Sequence, residues 1–97
     1  MEYILYYYYN ETCGSCRKFH TIIDQLEQER PCLKVERIQV DQNTHPEIAY
    51  TPTIVISYSN NELGRFSSAI SKRSIDSWLD QIEVYITNYL ERDNLTT

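Results

Sequence analysis

The sequence predicts an α/β domain, a mixed four-stranded sheet flanked by helices in the order β-α-β-β-β-α. Three observations lead there. Residues 2–9, "EYILYYYY", form a β-rich run. Near Gly14 the apolar spacing changes to a helical one. Finally, "TIVISY" and "ELGRFS" stand on either side of "SNN" and are followed by a second helical stripe.

The first run does not alternate apolar with charged residues, so it reads as a central strand covered on both faces. "NETCGSC" breaks it with Asn10, Thr12 and Gly14. Cys16, Phe19, Ile22, Ile23 and Leu26 then mark one helical face, and Arg17, Lys18, Asp24 and Gln25 the wet side. Pro31 ends this helix near Glu29. "LKVERIQVD" is the second strand, with Leu33, Val35, Ile38 and Val40 as its apolar set. Strand, helix and strand in this order make a βαβ unit with parallel strands. "DQNTHPEIAYTP" is a polar loop, with room for one helical turn after Pro46. The next two strands are antiparallel because "SNN" is a tight turn and Asn tolerates positive φ. Ser71 or Ser74 can cap the last helix, whose stripe runs Ile75, Trp78, Leu79, Ile82, Tyr85, Ile86, Tyr89 and Leu90.

Ninety-seven residues suit a single domain, 1–97, with 91–97 as a frayed tail. The net charge of −5 and the scattered basic residues argue against a nucleic-acid partner. No apolar run approaches the ~20 residues needed to cross a membrane. The N-terminus has no positive region or small-residue cleavage site, so the expectation is a cytoplasmic protein, and a monomer. Three cysteines do not make a disulfide scaffold. A single C-x-x-C in such a chain points to redox chemistry or to metal.

Cys13 falls where a strand gives way to a helix. The free N–H groups of a helix N-terminus and its partial positive charge stabilise a thiolate, and Arg17 and Lys18 add positive field. Cys16, on the apolar stripe, is expected to be more buried. That asymmetry suits a dithiol in which Cys13 attacks and Cys16 resolves. Gly14 and Ser15 keep the ring between them small and flexible. A zinc site would need a second ligand pair; His20 and His45 are available, but no second C-x-x-C or H-x₃₋₅-H follows. Cys32, at the far end of the helix, reads as a small buried hydrophobe at a strand start.

"ILYYYYNETCGSCRK", "LKVERIQVD", "TPT" and "ISKRSIDSWL", in that order over nearly residues 2–90, resemble the thioredoxin superfamily. The resemblance implies a thioredoxin-like fold and dithiol–disulfide exchange with protein substrates, with Thr12, Gly14 and Ser15 forming the active-site loop. It also implies a cis Thr51–Pro52 bond, with the backbone of Thr51 placed to pair with an extended substrate. The partners implied are protein disulfides and a reductase or other thiol electron donor. No cofactor is implied beyond the Cys13–Cys16 disulfide itself, and no metal.

The departures from the family are specific. The family's extra strand and helix before the active-site strand are missing, and the loop from Asp41 to Thr51 is shorter than the usual helix there. The paired glycines that hold glutathione in glutaredoxins are absent around Ser68–Ser71. Thr12 stands where thioredoxins often carry Trp, and Ser15 where they often carry Pro, which leaves reductant and isomerase both open. The family's buried Asp and its Lys partner correspond to Tyr7 and Arg37, so Tyr7, Arg37 and Arg17 are the candidates for tuning thiol pKa. A phenol is a poor base at neutral pH, which predicts slow resolution by Cys16. The other reading is a non-catalytic thioredoxin-fold binding module, or a zinc or iron–sulfur carrier.

Overall fold

The computed structural model describes residues 2–11, 14–41, 46–48, 50–67 and 71–90, apart from the side chain of Ser15. The elements run β1 (Tyr3–Tyr9), α1 (Gly14–Glu29), β2 (Leu33–Gln39), β3 (Thr53–Tyr58), β4 (Asn61–Phe66) and α2 (Lys72–Tyr85), with a π-helical turn over Ile86–Leu90. The sheet order is β2-β1-β3-β4. β1 pairs in parallel with β2, while β1–β3 and β3–β4 are antiparallel. The mixed four-stranded sheet with two helices is thus the architecture expected from the sequence.

β1 departs from its expected burial. It is an inner strand, but its burial alternates: Tyr3, Leu5 and Tyr7 are buried, whereas Ile4, Tyr6 and Tyr8 are half-buried. The reason is that both helices pack on one face. Tyr3, Leu5, Tyr7, Ile54 and Ile56 from that face join Phe19, Ile23, Leu26, Ile75, Leu79 and Ile82 in one core. The thinnest dimension is 17 Å, room for one sheet and one layer of helices about 10 Å across.

The helices end as local chemistry dictates. Ser71 is extended (φ −67°, ψ 152°) and its hydroxyl accepts from the N–H of Ser74, so Ser71 is the cap and Ser74 its donor. The turn between β3 and β4 puts both Ser59 and Asn60 at positive φ, the backbone that a right-handed strand twist favours in a two-residue hairpin. Pro46 and Glu47 form a turn rather than the helical turn expected. Tyr85 and Tyr89 lie against each other on the surface, exposed, rather than on the apolar face. The wider π turn changes the spacing there, and Ile86 takes the buried position.

Arg30, just past α1, ties the helices together. Its guanidinium meets Asp76, Asp80 and Glu83 on α2, and the Tyr3 hydroxyl also donates to Glu83. Burial works against the Arg30 charge, but its hydrogen bonds to Asp76, Glu83 and Asp80 win and raise its pKa. Lys72 bridges Glu29 of α1 and Asp76. Cys32 sits in the turn before β2, half-buried against the core rather than fully enclosed; its carbonyl accepts the Tyr3 N–H at 3.0 Å.

Candidate active site

The end of β1 and the start of α1 carry the motif. β1 stops at Tyr9, and α1 starts at Gly14 with no acidic residue in its first turn. Its free N–H groups therefore keep their partial positive charge uncancelled. Thr12 and Cys13 lie outside the described residues, as does the side chain of Ser15. Cys16 lies in the first turn and faces the core, 1% exposed. Arg17 and Lys18 follow on the solvent side. Gly14 is exposed, and a Cβ there would meet nothing within 4 Å. Space does not demand glycine at this position.

β3 runs antiparallel to β1, with Thr53 opposite Tyr8. The segment before Thr53 is thereby brought to the same end of the sheet as the start of α1. Thr51 there is half-buried and Pro52 buried, and the bond between them is cis. The Thr53 hydroxyl donates to the Tyr50 carbonyl at 2.6 Å, which ties the loop to the strand. Tyr50 itself is 69% exposed beside Thr51. Sequence reasoning passed over it; the signal was an aromatic residue in an otherwise polar loop, immediately before "TPT".

Tyr7 is fully buried, and its hydroxyl donates to the Cys16 carbonyl at 3.2 Å. The ring packs on Tyr9, with centroids 5.4 Å apart, and on Phe19 at 5.7 Å. His20, one helical turn past Cys16, stands edge-on to both Tyr7 and Tyr9, at 5.4 and 5.0 Å. An aromatic cluster thus backs the first turn of α1 where a carboxylate was the family's choice.

Arg37 does not have the place its alignment with Tyr7 suggested. It pairs with Tyr7 along the backbone, but its guanidinium turns to Asp24 and Glu27 near the far end of α1, at 2.7 and 3.1 Å. The Glu27 hydrogen bond, set against a smaller burial effect, raises its pKa. Arg37 pins α1 to β2. No three His, Cys, Asp or Glu side chains among the described residues come together as metal ligands. No helix among them is long and apolar enough to cross a membrane.

Comparison with known proteins gives a consistent result. A family model described as Thioredoxin matches residues 1–81. The thioredoxin of Chlamydia pneumoniae is 30% identical over 66 residues, 64% of this chain and 65% of that one. Thioredoxin C-3 of Corynebacterium nephridii is 27% identical over 75 residues, 73% of this chain and 52% of that one. The chain spans less than two thirds of the length of either relative. The X-ray structure of Fasciola hepatica thioredoxin superposes with a TM-score of 0.73 at 20% identity, over 82% of this chain and 80% of that one. A malarial protein of known structure gives 0.74 at 17% identity, over 84% and 97%.

Proposed function

The chain belongs to the thioredoxin family, and on that premise we propose that it is a thiol–disulfide oxidoreductase that reduces protein disulfides through Cys13 and Cys16. The observation that carries the proposal is the position of Cys16: buried in the first turn of α1, at the sheet end that also holds Thr51 and Pro52. A thiol so enclosed is poorly suited to attack a bulky substrate. It is well suited to attack a neighbouring sulfur.

The Cys13 thiolate attacks one sulfur of a substrate disulfide. The substrate S–S bond breaks, one substrate thiolate leaves, and a mixed disulfide joins Cys13 to the other sulfur. Cys16 loses its proton and attacks the Cys13 sulfur, releasing the second substrate thiolate. Two electrons pass to the substrate, and a Cys13–Cys16 disulfide remains. A thiol electron donor, such as a partner reductase, reduces it again. The backbone of Thr51 pairs with the extended substrate, and the exposed Tyr50 ring flanks it. The setting proposed is a reducing, cytoplasmic one, in keeping with three cysteines that make no disulfide framework.

Insulin reduction in the presence of dithiothreitol tests the proposal. The wild type should accelerate precipitation of the insulin B chain. Cys13→Ser should abolish the effect, and Cys16→Ser should accumulate a mixed disulfide visible by mass spectrometry. Absence of turnover by the wild type, together with metal bound to the purified protein, would overturn it in favour of a metal carrier.

A further inference from the structure

The sheet has a second face. Among the described residues no helix lies on it, and rows of side chains cross it, with Ile38, Tyr8 and Thr53 nearest the active-site end. The strand pairings define the first row as Lys34, Ile4, Ser57 and Glu62, on β2, β1, β3 and β4 in turn. The second is Glu36, Tyr6, Val55 and Arg65. Each of these two rows has a half-buried large side chain on β1, a smaller one on β3 (half-buried Ser57 in the first, buried Val55 in the second), and opposite charges at its two ends. The sign alternates down each edge, positive then negative on β2, negative then positive on β4.

This pattern is complementary to itself. A two-fold rotation about an axis parallel to β1 keeps height along the strands and exchanges left with right. It sets β2 of one copy against β4 of the other, and β1 against β3. Lys34 then meets Glu62 of the second copy, and Glu36 meets its Arg65. Tyr6 covers the smaller Val55, and Ile4 covers Ser57. We propose that the chain self-associates through this face, a second copy stacking on it about that axis.

Sheets packed in this way lie about 10 Å apart, with strands turned by about 30° through their twist. The charges must change partners. Glu62 is held by Arg65 at 2.6 Å and Lys34 by Glu2 at 3.0 Å, but all four are well exposed, and such pairs are worth little in water. Near the active-site end, burial, then the Glu47 carboxylate, hold the Tyr8 phenol above its ordinary pKa. Contact centres on the two charged rows. Each copy carries a net charge of −5, which opposes association. Association is therefore weak, with Kd on the order of 0.1–1 mM. Because the axis runs along the strands, both copies present the start of α1 at the same end of the dimer. The expected monomer is the dilute form.

Sedimentation equilibrium of the full chain from about 10 μM to 1 mM, in reducing agent to exclude disulfide-linked species, tests the proposal. Wild type should fit a monomer–dimer equilibrium. Lys34→Glu and Glu62→Lys should each weaken it about tenfold, since each reversal acts twice across a two-fold interface. The double reversal should restore wild-type Kd to within about threefold. All these side chains are exposed, and circular dichroism would verify an unchanged fold. Wild type that stays monomeric at 1 mM, single reversals without effect, or a double variant no tighter than the singles would each overturn the proposal. None of these outcomes depends on thiol chemistry, so this result and the insulin assay stand or fall separately.

Discussion

Tyr7 is a structural donor beside the inner cysteine. Its hydroxyl gives its hydrogen to the Cys16 carbonyl, so it steadies the helix turn that carries the inner thiol. A neutral phenol in that arrangement does not take up the Cys16 proton at pH 7. Tyr7→Phe should therefore lower stability by about 1 kcal/mol, the usual net worth of one hydrogen bond, measured by urea unfolding. It should leave the rate of mixed-disulfide breakdown within about tenfold of wild type, whereas deleting a positioned proton acceptor costs ~10²–10⁴-fold. A larger rate loss would make Tyr7 part of the proton path. Tyr7→Asp would bury a carboxylate among Tyr9, Phe19 and His20 and should cost more stability than Tyr7→Phe.

Among the elements, α2 and β4 meet at a point that only the structure reveals. Trp78 lies over Gly64 and edge-on to Phe66, with centroids 4.3 Å apart. A Cβ at Gly64 would come within 2.8 Å of the Trp78 ring. Glycine is kept there for the ring, not for a turn. Gly64→Ala should cost about 1–3 kcal/mol of stability through overpacking, read from the urea midpoint, and should shift the near-ultraviolet signal of Trp78. The limits of most elements were legible from short-range chemistry: Pro31 stopped α1, Ser71 capped α2, and Asn60 marked the hairpin. Which face each element would cover was not legible. A run such as "YILYYYY" carries no polar alternation to reveal an open side, and tyrosine tolerates half-burial because its hydroxyl end can stay wet. At the site, the motif revealed Cys16's inward orientation through its place on the apolar stripe. The end of the Arg37 side chain was not legible, because backbone pairing says nothing of where a long side chain ends, and Asp24 and Glu27 offered it carboxylates. Tyr50 escaped because exposure is a tertiary property.

For the whole molecule, charge holds the two helices in register over the core. Burial alone would raise the Asp76 pKa, but Lys72 and Arg30 outweigh it and keep the carboxyl below its ordinary value. A depressed carboxylate contributes stability that is complete above the unfolded value near ~3.9 and is lost as pH falls through the lower folded value. Wild type should thus lose melting temperature as pH falls from about 5 to 2. Lys72→Met should start slightly lower at neutral pH and show a shallower acid slope. An unchanged slope in calorimetry would show that Asp76 does not carry the effect. The strand order sets a further demand, on synthesis. β1 leaves the ribosome first but sits between β2 and β3. It cannot complete its pairing until Tyr58 has been made, roughly 2–10 s after Tyr9 at ordinary elongation rates. For that interval the least charged, most strand-prone segment of the chain is a nascent peptide with both edges open, the state in which aggregation begins. A cell that makes this protein must shelter its first strand before it can use its fold.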